Sequence, residues 1–274
     1  RPMQACSSDW LTPDWPIPRG VAALCTTRSA GVSTGPFESL NLGEHVGDAM
    51  ASVVANRQLF SDRLGARPVY LNQVHGCKVA QLDAQTPDGC VADACVTTER
   101  GLACTIMVAD CLPVLFCSAD GSVVGAAHAG WRGLAGTQDG KGVLEAAFEY
   151  FCSFAPGNRA SSAIKNGASR SLVWLGPCIG PQAFEVGAEV RDAFVGRQSQ
   201  AANQFVDLGN GKFLANLQGL ARQRLAAMGI EQIYGNDGTQ HWCTVSNPLR
   251  FFSHRRDTGR LGGSGRFVAA IWKT

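Results

Sequence analysis

The sequence predicts a single α+β domain, a mixed β-sheet covered by helices in an α/β/α arrangement. Three observations carry that expectation. Short apolar or β-branched runs crowd the middle of the chain, amphipathic segments gather after them, and no linker-like stretch divides the whole. Length agrees, since 274 residues suffice for one large buried core.

Residues 1–20 contain Pro2, Pro13, Pro16 and Pro18 and read as an irregular lead-in. Val21 to Thr27 suits a strand, and Ser29 to Gly47 is a long loop rich in Gly, Ser and Asn. Ala51 to Leu64 has helical spacing and is stopped by Gly65 and Pro68. Strands are expected over Val69–Val74, Cys77–Leu82, Ala92–Thr97, Ala103–Val108, Pro113–Cys117 and Val123–Ala127, each bounded by Gly, Asp or Pro. A helix follows from about Gly142 to Phe154, then an exposed polar loop over 155–170. Leu172–Leu175 reads as a strand, Phe184–Phe194 and Phe213–Met228 as amphipathic helices, and Ile233–Tyr234 and Phe267–Trp272 as late strands.

Composition narrows the function. Apolar residues make up 45% and charged residues 17%, which is a globular balance without disordered character. A net charge of +2 is too near zero to draw the whole molecule to nucleic acid or to a membrane. No apolar run approaches the ~20 residues of a membrane span. The first residues lack a basic segment followed by an apolar run, so no secretory signal is visible. Eleven irregularly spaced cysteines without a CxxC pair point to a reduced, cytoplasmic protein rather than a disulfide scaffold or zinc ribbon. Walker and GxGxxG motifs are both missing, which argues against nucleoside-triphosphate and nicotinamide enzymes.

Three segments each place a metal-competent side chain at the end of a buried-looking strand: Leu71-Asn72-Gln73-Val74-His75-Gly76, Val108-Ala109-Asp110-Cys111-Leu112-Pro113 and Gly125-Ala126-Ala127-His128-Ala129-Gly130-Trp131-Arg132-Gly133. Two imidazoles and a thiolate suit zinc, and three protein ligands leave a fourth position for water or substrate, the pattern of a catalytic site. Asp110 is adjacent and can orient a histidine or take a proton. The same residues also allow a cysteine nucleophile, with His128 as base and Asp110 or Asn72 as orienting group. A third option is a structural metal in a binding protein, closed by a fourth ligand from His45 or His254. A lone Cys or His in an apolar region is more often a core residue, so spacing by itself leaves these readings open.

Anion-binding candidates are Arg132, four residues after His128, and Arg255, Arg256 and Arg260 in the run Phe251 to Arg260. The Gly-rich loop from Thr26 to Asp48 offers Arg28, Asn41 and His45 as polar contacts of a substrate wall, and Asn72 and Gln73 flank His75.

The strings TTRSAGVSTGPFESLNLGEHVGD, LNQVHG, DACVTT, VADCLPVLF, GAAHAGWRG, GPCIG with FEVG, and FFSHRRDTGR resemble, in order over residues 22–272, the bacterial laccase-domain family. Its members were once described as multicopper polyphenol oxidases and are now described as purine nucleoside phosphorylases. The resemblance implies zinc at His75, Cys111 and His128. It implies phosphorolysis of adenosine, inosine and methylthioadenosine, with purine nucleoside and phosphate as partners, and hydrolytic deamination of adenosine. It also implies an α/β/α sheet similar to cytotoxic necrotizing factor-like deamidases, which keeps a cysteine amidase in view. Some members are linked to editing of peptidoglycan precursors. Ser29-Ala30, Leu214 and the Gly262-Gly263-Ser264-Gly265 turn depart from the family pattern without touching the three ligands. Five histidines in the whole chain are too few for a trinuclear copper cluster beside a blue-copper centre, so the multicopper mechanism is rejected. A single copper in a His₂Cys site remains chemically possible, though blue-copper sites usually add a long axial Met.

Overall fold

The computed structural model describes residues 9–137, 139–154 and 170–274. The chain opens with strand β1 (Val21–Cys25), and after the long loop comes helix α1 (Met50–Leu64). Gly65, at φ 63°, ends α1 in the left-handed conformation that a side chain would resist. Strands β2 (Arg67–Val69), β3 (Val79–Gln81), β4 (Ala94–Thr97), β5 (Leu102–Val108), β6 (Leu112–Ser118) and β7 (Val124–Ala129) follow. Next come helices α2 (Trp131–Ala135) and α3 (Val143–Cys152), then β8 (Ser171–Leu175), β9 (Glu185–Gly187) and α4 (Ala188–Val195). The chain finishes with β10 (Phe205–Gly209), β11 (Lys212–Ala215), α5 (Leu217–Ala227), β12 (Gln232–Gly235), α6 (His254–Leu261) and β13 (Phe267–Lys273).

The α+β class and the mixed sheets agree with the sequence, but the β layer is doubled. A four-stranded sheet, order β1-β13-β5-β2, faces a six-stranded sheet, order β12-β8-β6-β7-β4-β3. Cys25, Cys104, Ile106, Phe267 and Ile271 of the first pack against Leu115, Cys117, Val124, Ala126 and Trp174 of the second. The outer face of the six-stranded sheet is covered by α3, α4 and α5 through Phe148, Phe194 and Leu220. Phe60 and Leu64 of α1 cover the outer face of the other sheet at Ala103, Met107 and Trp272. Every residue of β4, β5, β7 and β8 is therefore buried, whichever way its side chain points. That explains why these segments read as continuous apolar runs rather than alternating ones.

Several expected elements shift for local reasons. The run Val69–Val74 leaves the sheet after Val69 and becomes the loop that carries His75. Phe184–Phe194 and Phe213–Met228 each open with a strand, because Val186 of β9 and Phe213 of β11 pair across a small antiparallel sheet, order β10-β11-β9. Asn216 then starts α5 by accepting from the Gly219 amide at 3.2 Å. β10 escapes the sequence pattern because it is an exposed edge. Helix α6 escapes it because Asp257 is its one buried residue. The expected loop over 155–170 lies outside the described residues apart from Arg170, as does the start of the lead-in. Among the described residues no helix is long and apolar enough to cross a membrane.

The core under α3 is built on aromatic contacts, with Phe116 and Phe148 centroids 4.7 Å apart and Phe148 and Phe151 centroids 5.6 Å apart. Phe148→Ala is expected to lower unfolding free energy by about 3–5 kcal/mol, the usual cost of an aromatic-sized void. Urea unfolding followed by tryptophan fluorescence checks this; a loss under about 1 kcal/mol would mean that this core collapses around the gap.

Candidate metal centre and active site

The three ligand candidates converge by sheet register and by one buried carboxylate. Cys111 sits in the tight connection between β5 and β6, next to Leu112, which pairs with Ala129 of β7. His128, the penultimate residue of β7, pairs with Pro113, so the thiol and the imidazole arrive side by side from adjacent antiparallel strands. His75 reaches them from the loop before β3. The three ligand atoms lie within 4.8 Å of one another, with His75 Nε2 at 3.7 Å from Cys111 Sγ. The two imidazole rings meet edge to face at 4.8 Å between centroids.

Asp93, just before β4, holds this arrangement. Its carboxylate accepts from the backbone amides of Val74 (3.2 Å), His75 (2.8 Å) and Gly76 (2.8 Å) and faces His128 Nδ1 at 2.9 Å. One side chain thus fixes the His75 loop and turns His128 so that Nε2 is left for a ligand. His75 has φ 60° and Asp110 φ 104°, left-handed conformations rare for such residues, and both sit in the connections that present the ligands. Burial works against charge on Asp93, but the bonds from His128, Gly76 and Val74 prevail and hold its carboxyl below the usual range. Burial likewise opposes the Cys111 thiolate, yet the His128 charge and hydrogen bonds from both histidines draw the thiol well below its ordinary value. His128 is pushed up in spite of burial by Cys111 and by Asp93.

Gly130 keeps the centre open. A Cβ there would stand 2.9 Å from Cys111 Sγ and 3.0 Å from His75 Cδ2. The ligand group opens onto a cavity of about 430 Å³, in the size range of small-ligand pockets. Trp131, Ile179, Phe184 and Leu217 give it apolar walls, while Arg132, Arg255 and Arg266 bring positive charge. Burial, then the charges of Arg266 and Arg57, lower the pKa of His45 at the same cavity.

The structure gathers most of the expected site residues into this cavity: His45, Gln73, His75, Asp110, Cys111, His128, Arg132, Arg255 and the alternative ligand His254. Neither His45 nor His254 joins the ligand group. Arg132 is exposed and lies over the Trp131 ring at 4.5 Å. Both ends of the Gln73 amide are committed to the Met107 backbone at 2.8 Å. Asp110 does not orient a histidine. Its oxygens accept from Thr244 Oγ1 (2.6 Å) and the Arg255 amide (2.7 Å), which ties the start of α6 to the site; the histidine-orienting place belongs to Asp93. Met107 lines the cavity, but its sulfur is partnered by Arg57 Nη2 at 4.0 Å.

Three expected contacts lie elsewhere. Arg28 donates to the carbonyls of Glu38 (2.8 Å) and Pro248 (3.0 Å) and braces a loop. Asn41 is fully buried and serves the backbone, accepting from the Gly43 and Arg266 amides at 3.0 and 2.9 Å. Asn72 is exposed, away from the cavity lining. Arg256 is paired with Asp257 at 2.7 Å, and Arg260 lies 3.4 Å from the same carboxylate. Sequence reasoning missed Asp93 and Arg266. The available signal for Asp93 was a charged residue heading an otherwise apolar strand, ADACVTT.

Residues 22–274 match the family described as multi-copper polyphenol oxidoreductase laccase. The chain belongs to that family. A Pseudomonas aeruginosa relative named purine nucleoside phosphorylase is 48% identical, covering 96% of this chain and 98% of its own. An Escherichia coli relative with the same enzyme name is 44% identical over 97% and 99% of the two chains. The crystal structure of a Neisseria meningitidis protein matches with TM-score 0.83 and 43% identity, covering 96% of this chain and 98% of that one. The relatives' names support an enzymatic role for this family member.

Asp93→Asn is expected to weaken metal binding about 10–100-fold by loosening His128 and the His75 loop. Gly130→Ala, at a backbone conformation that alanine accepts (φ −71°, ψ 164°), is expected to lower metal content without unfolding the protein. Competition against a chromophoric chelator measures both; wild-type affinity in the two variants would contradict this account of the centre.

Proposed function

We propose that this protein is a zinc-dependent purine nucleoside phosphorylase acting on adenosine, inosine and methylthioadenosine, and that the same site deaminates adenosine hydrolytically. The observation that carries the reading is a single cavity uniting the His75–Cys111–His128 group, arginines and apolar walls. The donor set fits zinc: two imidazoles, a thiol drawn toward thiolate, an orienting carboxylate on one imidazole, and a glycine where a Cβ would collide with two of the ligands. Bound there, zinc supplies a Lewis acid to the reacting nucleoside.

The chain's own residues supply the rest. Trp131, Ile179, Phe184 and Leu217 offer apolar surface for a purine ring. Arg132 and Arg255 bring guanidinium groups to an anionic co-substrate. In phosphorolysis a phosphate oxygen forms a bond to the ribose C1′ while the C1′–N bond breaks. Its electron pair leaves with the base, and the proton of hydrogenphosphate ends on the base nitrogen. Asp110, at the cavity wall, is our choice to relay that proton. The ten described cysteines are all free thiols, consistent with the cytoplasmic location we assign.

A second reading rests on Cys111, His128 and Asp93 as a thiolate, imidazole and carboxylate in series, the order of a cysteine amidase or deamidase, with a peptidoglycan-precursor amide as one substrate. The two readings part on metal dependence. Phosphate-dependent base release, about one zinc per chain by elemental analysis, and loss of both in Cys111→Ala are expected. Full activity in metal-stripped protein, with covalent trapping of Cys111 by an electrophile, would replace the first reading with the second; copper in place of zinc would correct the metal.

A further inference from the structure

We propose that Arg266 grips the phosphate co-substrate through the Nε and Nη2 edge of its guanidinium. The inference rests on the phosphorolytic reading and adds a residue to it. Arg266 precedes β13 and lines the same cavity as Cys111 and His128. It differs from the other two cavity arginines in how firmly it is held. Arg132 and Arg255 are exposed; the first lies over Trp131, and the second donates from Nη1 to the Glu185 carbonyl at 3.0 Å. Arg266 is half-buried, and its Nη1 donates to the carbonyls of Ser264 (2.9 Å) and Gly265 (3.0 Å).

Those two bonds use both Nη1 hydrogens and fix the plane of the group. Nε and Nη2 have no hydrogen-bond partner among the described residues, and neither is a sealed buried atom. The Nε–Nη2 edge is the side that meets two oxygens of a phosphate or carboxylate at once. Arg266 also has no ion pair among the described residues, in contrast to Arg57, which binds Glu44, and Arg256, which binds Asp257. Among the described residues the one carboxylate lining the cavity, Asp110, already accepts from Thr244 and from the Arg255 amide. An oriented, charge-bearing fork at a small-molecule cavity, with no carboxylate in ion-pair contact among the described residues, suits a small oxyanion.

The backbone confirms how carefully the side chain is positioned. The Arg266 amide donates to Asn41 Oδ1 at 2.9 Å, and its carbonyl accepts from the Leu42 amide at 3.0 Å. Its stem passes over Gly43, where a Cβ would lie 2.9 Å from Arg266 Cγ. The Gly-rich loop therefore seats this arginine as well as bringing His45 to the cavity.

Two variants test the assignment with inosine as nucleoside and inorganic phosphate as the varied substrate. Arg266→Lys keeps the charge and loses the fork. Gly43→Ala keeps the guanidinium and displaces its stem. Arg266→Lys is expected to raise the KM for phosphate about tenfold or more, while the KM for inosine and the zinc content stay near wild type. Gly43→Ala should shift the phosphate KM in the same direction by a smaller factor, and it decides the matter alone if Arg266→Lys fails to fold. Wild-type phosphate KM in the folded variants, or equal rises for phosphate and inosine, would overturn the role of Arg266 and leave the phosphorylase reading intact. Base release by the wild type that ignores phosphate would overturn both.

Discussion

The carboxylate of Asp93 is the interaction on which the centre depends. A buried carboxylate without partners costs several kcal/mol, and here four donors answer it: three consecutive amides of the His75 loop and the ring of His128. The same bonds that satisfy Asp93 bring two histidines from distant parts of the chain onto one thiol. Structural need and chemical purpose therefore coincide in one side chain.

The doubled sheet explains why that thiol and imidazole stay put. Cys111 lies between two strands that are almost wholly buried and belong to different sheets, so the β5–β6 connection crosses from one sheet of the sandwich to the other. Ala109, Asp110 and Cys111 make up that crossing. Asp110 anchors it to α6 through the Arg255 amide, and the Ile179 amide donates to the Asp110 carbonyl at 2.8 Å. A site built on the rigid part of the fold is thus rimmed by loops and short helices that supply the walls.

Much of this was legible in the sequence. The buried strands announced themselves as apolar runs, and His75, Cys111 and His128 stood out because side chains able to bind a metal stand at the ends of such runs. The layering was not legible, because a strand buried by a second sheet reads the same as one buried by helices. Asp93 was hidden for a different reason: three of its four partners are backbone amides, which leave no trace in side-chain patterns. Arg266 was hidden because it lies outside the motif strings and its placement depends on Asn41 and Gly43, more than two hundred residues earlier in the chain. Arg28 and Asn41 illustrate the converse, since polar residues in a Gly-rich loop looked like substrate contacts and instead hold the loop's own backbone. The helical run over Phe213–Met228 failed where a cap at Asn216 separates strand from helix.

The central claim is that these three side chains form one metal centre. X-ray absorption at the zinc edge of the zinc-loaded protein tests it most directly. The account predicts a shell with one sulfur at about 2.3 Å and two imidazole nitrogens at about 2.0–2.1 Å, completed by one further light atom. A shell without sulfur, or with imidazole scattering from a single histidine, would contradict it.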